Sequence, residues 1–157
     1  MIDEPADHAL GRSQGGFGTK LHVLCDANGW LLTVALTPGQ THETQAFETV
    51  MEQVSVKSVR GPHNRRPKVL AGDKGDTSKQ LRAWLRRRGI RPVIAHRSNE
   101  HARSEDFDRE TYRRRNIVER TIGWLKECRR IATRYEKLAK HFLSMIHTAM
   151  ILQFITL

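Results

Sequence analysis

Two runs of alternating apolar and polar residues, close enough to share a tight turn, constrain this chain more than anything else in it. Thr19–Asp26 reads TKLHVLCD and Trp30–Thr37 reads WLLTVALT. Ala27-Asn28-Gly29 lies between them, and Asn and Gly tolerate positive φ at little steric cost. The pair predicts a β-hairpin that Pro38-Gly39 ends. Helical spacing of Ala46, Phe47, Val50 and Met51 then predicts a helix from Thr41 to Val54. Lys68–Ala71 (KVLA) is a short apolar strand ending at Gly72-Asp73. Ser78–Arg88 is a helix with Leu81, Trp84 and Leu85 inside, and Arg91–Ala95 is another strand. Arg109–Arg134 predicts one long basic helix and Leu138–Leu157 an apolar one, while residues 1–18 read as irregular. The order β, β, α, β, α, β, α, α points to an α/β fold, a mixed sheet with helices on its faces.

The chain has 157 residues and no internal repeat, which fits one domain. Lys and Arg number 27 against 17 Asp and Glu, a net charge of +10. The excess is Arg-heavy, which favours a phosphate-rich partner, although a merely solvated basic surface accounts for it equally well. Cys25 and Cys128 form no framework and have no zinc-type spacing, so a reducing compartment is expected. Leu143–Leu157 is the most apolar stretch, but it is short for a bilayer and carries His147 and Gln153. A buried terminal helix and a cytoplasmic, nucleoid-associated chain with no membrane partner are the expectations. Trp30, Trp84 and Trp124 sit among apolar neighbours and read as core anchors.

The long helix carries a stripe. At 100° per residue, Tyr112, Arg115, Glu119 and Lys126 fall at about 0°, 300°, 340° and 320°, whereas Ile117, Val118, Trp124, Leu125, Cys128 and Ile131 fall between about 100° and 240°. One side therefore packs on a core and a polar stripe runs beside it. A carboxylate framed by Arg and Lys can ligate a hard cation while its neighbours hold phosphate oxygens. A solvated face with i,i+4 ion pairs accounts for the same residues. Arg113, Arg114, Arg120, Arg129, Arg130 and Arg134 widen the basic surface. Asp73 is the second informative acid. It follows a short buried strand at its carboxyl end, where open α/β sheets place their ligands. Asp76 and Ser78 read as helix caps, which leaves Asp73 freer for other work.

These residues resemble the catalytic domain of a DDE transposase of bacterial insertion sequences, in the group named after insertion sequences four and five. The resemblance runs from about Ala9 to Leu157. It is carried by GRSQGGFGTKLHVLCDANGWLLTVALTPGQTHE at 11–43, LAGDKGDTS at 70–78, RRRNIVERTIGWLKECRRIATRYEK at 113–137, and the spacing Tyr112-x2-Arg115-x3-Glu119-x6-Lys126. The resemblance implies an RNase H-like fold and acids that bind two divalent metals, Mg²⁺ or alternatively Mn²⁺. It matches Asp73 to the family's second catalytic aspartate and Glu119 to its catalytic glutamate, both metal ligands. It matches Tyr112, Arg115 and Lys126 to companions that support Glu119 and contact the transposon end; Arg113, Arg114 and Arg120 are further candidate DNA contacts. Double-stranded DNA is the implied partner, with an upstream half of the transposase and a second copy of the chain as further candidates. Asp76 stands where the family usually has Tyr.

The family's first aspartate lies on a strand before the GRSxGG segment, and Met1 stands just upstream of that segment. The expectation is a single truncated RNase H-like catalytic domain over 1–157, lacking the central strand, its aspartate and the usual helix-turn-helix. Its two-metal site would be incomplete and its activity alone impaired. Asp26 stands at the wrong end of its strand to substitute, while Asp3 and Asp7 lie nearer the correct end. The alternatives are a non-catalytic DNA-binding or regulatory fragment, and a standalone RNase H-like nuclease using Asp3 or Asp7.

Overall fold

The computed structural model of the chain describes residues 7–13, 15–58, 61–72, 79–95 and 107–155. Its first sheet has the order β1 (Gly11–Ser13), β2 (Gly16–Cys25), β3 (Leu31–Pro38). β2 and β3 are the expected hairpin, antiparallel from Thr19↔Pro38 to Cys25↔Leu31 with an irregularity at Leu24/Cys25. The Asp26 carboxylate shapes the turn, accepting hydrogen bonds from the backbone N–H of Asn28 (2.8 Å) and Trp30 (2.9 Å). Gly29 sits at φ +91°, and a Cβ there would lie 3.2 Å from Thr121 Oγ1, so glycine answers both the turn and a close neighbour.

β3 is covered on both faces. Thr33 Oγ1 donates to Val50 O (3.4 Å) in α1 (Glu43–Glu52), while Val34 joins Leu125, Ile131, Phe142, Ile146 and Ala149 on the far side. Leu125 and Ile146 have no exposed surface, and each stabilises the fold by about 1.5–3 kcal/mol on area grounds. The second sheet is a parallel pair, β4 (Val69–Gly72) and β5 (Arg91–Ile94), registered from Val69↔Arg91 to Gly72↔Ile94. α2 (Lys79–Arg87) lies between them in the chain and buries Leu81, Trp84 and Leu85. These residues form a second core with Met51, Leu70, Ile90 and Ile94, against which Leu24 of β2 and Phe47 of α1 pack. Phe47 meets Trp84 edge-on at 5.5 Å, so α1 joins the two halves.

The remaining elements are α3 (Arg109–Arg114), α4 (Asn116–Glu127), α5 (Arg129–Ala132) and α6 (Ala139–Ile155). Four differences from the sequence reading stand out. Gly11–Ser13, read as irregular, is a strand. It pairs with Gly16–Gly18, and Ser13 Oγ donates to Gly16 O (3.1 Å). The strands form two sheets among the described residues, not one mixed sheet, because no ladder joins β2 to β4.

The long helix is also broken. A slight turn at Arg115 keeps helical dihedrals (φ −53°, ψ −29°), but Cys128 is extended (φ −71°, ψ 103°). In an unbroken helix Leu125 and Ile131 would lie about 120° apart. The break brings both to one core, and Cys128 O accepts hydrogen bonds from the N–H of Ile131 (2.8 Å) and Ala132 (3.0 Å). Finally, the expected burial of the last helix holds only for part of it. Ala139, Phe142, Ile146 and Ala149 are buried, but Ile151, Leu152, Phe154 and Ile155 are exposed. Trp124 packs against the first core, Trp84 belongs to the second, and Trp30 stacks on Phe154 at 4.6 Å. Among the described residues no helix is long and apolar enough to cross a membrane.

Candidate functional site

α3 starts with a strong cap. Asp108 accepts hydrogen bonds from the Thr111 N–H (2.9 Å), the Thr111 hydroxyl (2.7 Å) and Arg91 Nη2 (3.0 Å). The Thr111 backbone N–H, then its hydroxyl, and finally Arg91 hold the Asp108 carboxyl below the usual carboxylate range, against an opposing effect of desolvation. Arg91 opens β5, so this cap ties the start of α3 to the start of that strand. α3 then rests against both β4 and β5.

Three residues of the expected stripe come together. The Tyr112 ring is propped by Phe107 at 5.3 Å, and the Arg115 guanidinium lies 5.6 Å from the Tyr112 centroid. Arg115 Nη2 forms an ion pair with Glu119 Oε1 at 2.9 Å. The Glu119 side chain is 61% exposed. Lys126 follows on the same helix, exposed and two turns farther on, close to the same face. Arg113, Arg114 and Arg120 are exposed as expected, with Arg114 Nη2 on Glu110 Oε1 at 2.9 Å. The opposite face of α4 is locked down: Thr121 Oγ1 donates to Gly29 O (3.2 Å) and to Ile117 O (2.9 Å).

Asp73, with Asp76 and Ser78, lies outside the described residues, as does Asp3. Asp73 directly follows Gly72, the last residue of β4. Asp7 is described and stands by the start of α6, where its carbonyl accepts the Ala139 N–H (3.0 Å). Among the described residues, no group of three or more His, Cys, Asp or Glu is placed to hold a metal ion. Burial, then the Asp26 charge, pushes the Cys25 thiol up.

A second cluster was not foreseen. Arg134, read as part of a basic surface, is half-buried. Its Nε donates to Glu136 O (2.8 Å), its Nη1 to Thr19 Oγ1 (2.5 Å) and its Nη2 to Lys137 O (3.0 Å), and it lies 5.3 Å from the Phe142 ring. Burial pushes its pKa down, partly offset by Glu136 and Asp7. Glu136 Oε1 pairs with Arg130 at 2.5 Å. Its carboxyl is held low although burial pulls the other way, because its own backbone N–H and Arg130 favour the ionised form. The sequence signal for this cluster was only an aromatic residue between an Arg and an acid in a loop, a pattern with no periodicity to flag it.

An α/β core thus carries an exposed acid, framed by Arg and Tyr, on a basic helix. Residues 6–154 match the transposase DDE domain, and the chain belongs to that family. It is similar to a putative transposase for insertion sequence element IS402 from Burkholderia cepacia, 37% identical over 123 residues that make up 78% of this chain and 56% of that relative. The chain thus spans little more than half the length of the curated relative it matches. No solved structure matches it.

Proposed function

We propose that this chain is a catalytic portion of a DDE transposase of the group named after insertion sequences four and five, cleaving and joining DNA at insertion-sequence ends. The observation that carries the reading is the run Tyr112–Arg115–Glu119, in which each residue holds the next and the last presents an open carboxylate. Such an oxygen suits a hard divalent cation, and the Glu119 side chain stays mostly exposed beside its ion pair with Arg115. Asp73 and Glu119 would hold Mg²⁺ or Mn²⁺. When bound, a pair of such ions activates a water or 3′-hydroxyl and stabilises the leaving oxygen at phosphorus.

The chain's own residues do the rest. Arg115 fixes the rotamer of Glu119, and Tyr112 backs Arg115 with its ring face. Arg113, Arg114, Arg120 and Lys126 are exposed and hold DNA phosphates, which sets register without reading bases. The matching fold is RNase H-like, within a single domain over 1–157. It is supported by a hairpin followed by a parallel β-α-β pair, and by Leu24 of β2 packing on the core beneath β4. That fold reserves the space between β2 and β4 for a further strand, which an added segment of the transposase would supply.

The test is nicking of DNA bearing the element's ends, by the chain alone and by the chain joined to the extra segment of a longer relative. The nicking depends on Mg²⁺ or Mn²⁺ and is lost in Glu119→Gln. Undiminished nicking by that variant removes Glu119 from the mechanism. The exposed basic face of α3 and α4 also favours a second reading, a regulatory DNA-binding fragment. That reading requires binding that is steeply salt-dependent yet indifferent to metal.

A further inference from the structure

Behind β2, at the loop joining α5 to α6, lies a recess of about 570 Å³ lined by residues that the proposed chemistry does not use. Phe17 and Tyr135 both line it, and they are 63% and 61% exposed. A folded chain gains little by displaying two aromatic rings beside one recess, and a π-face held open to solvent suits a flat partner. The floor is firm. Arg134 is bonded to Thr19, Glu136 and Lys137, and the Phe142 ring lies beneath its guanidinium. The charge is positive: among the lining residues Arg134 and Lys137 outnumber Glu136.

We infer that this recess binds an unpaired nucleotide of single-stranded DNA, its base stacked against Phe17 and Tyr135 and its phosphate held by Lys137 and Arg134. Aromatic rings beside cations bind single strands in this way, since every base offers a π-face and every linkage a phosphate. Duplex DNA keeps its bases stacked inside, so the rings select unpaired segments while the cations alone would not. Lys126, Arg129 and Arg130 lie between Glu119 and this loop in the chain and are all exposed. The inference rests on the transposase reading only in supplying DNA as the polymer at hand.

The test compares short labelled single strands, one with bases and one abasic with the same phosphates, by fluorescence anisotropy on the intact chain. The base-bearing strand binds about tenfold tighter, as expected for stacking of this kind. Phe17→Ala and Tyr135→Ala each erase that preference while leaving abasic-strand affinity and melting temperature unchanged, because both rings are mostly exposed. Tyr135→Phe keeps the preference, since the ring and not the hydroxyl does the stacking. Equal binding of the two strands by the wild-type chain overturns the proposal, and so does a preference that survives both alanine variants. Glu119→Gln leaves the preference intact, so failure of the cleavage reading and failure of this one are separable.

Discussion

Two acid–arginine pairs use the same groups in opposite ways. In Arg115–Glu119 the guanidinium is largely covered and the carboxylate stands open; in Arg130–Glu136 the guanidinium is open and only 7% of the acid side chain is exposed. The first pair spans one helical turn, whereas the second bridges from α5 into the following loop. Glu136 Oε2 is buried without a hydrogen-bond partner among the described residues, an arrangement with a desolvation penalty and no access to solvent. A carboxylate treated so is a fastening. A carboxylate held by one oxygen and left open at the other can still take a ligand. Exposure of the acid, more than the presence of the ion pair, separates the two roles.

That contrast can be broken at either pair. The largest expected effect is on chemistry: Glu119→Gln lowers metal-dependent cleavage by about 10³-fold or more, as removal of a group in the reacting constellation does. Its melting temperature, read by circular dichroism, stays within about 2 °C of wild type, because a surface substitution moves stability by only about 0.5 kcal/mol. Arg115→Lys is intermediate. It keeps the charge but loses the planar fork and the stacking on Tyr112, so cleavage falls about tenfold with DNA affinity nearly unchanged.

Glu136→Gln shows the reverse profile, a lower melting temperature with metal-dependent cleavage unaltered. Its pH dependence carries a sign. The Glu136 pKa is depressed in the folded chain, so its stabilising contribution is present above the unfolded value near about pH 4 and is lost as pH falls through the lower folded value. Acid titration of stability therefore separates wild type from Glu136→Gln above that window and brings them together below it. Asp108 follows the same sign. The smallest effect belongs to the exposed arginines. Arg113→Ala or Arg120→Ala reduces the slope of log affinity against log salt by about 0.9 each, with no change in melting temperature.

The parts of this molecule that strict geometry governs were legible in its sequence. The hairpin announced itself through a two-residue alternation and a turn that only Asn-Gly chemistry favours, and its strands lie within a few residues of the expected ends. The stripe was legible because helical angles are fixed, and the gentle turn at Arg115 leaves those angles nearly intact. The break at Cys128 was not. Neither Gly nor Pro marks it, and its cause is that Ile131 must reach the same core as Leu125. β1 hid among glycines because three residues carry no periodicity and owe their conformation to the partner strand. The fastening of Glu136 hid for a related reason, since six residues is no helical spacing and a loop supplies the closure.

The Gly29 carbonyl accepts hydrogen bonds from Thr121 on α4, 92 residues away, and from Gln153 Nε2 (3.0 Å) on α6, while the Gln153 carbonyl oxygen takes the Leu31 N–H (3.3 Å). The helix that presents the acid is thus aligned by a hairpin bend made early in the chain. An error at that bend would spoil the aim of a side chain it never touches, and the damage would surface as misdirected chemistry in a protein that still looks folded.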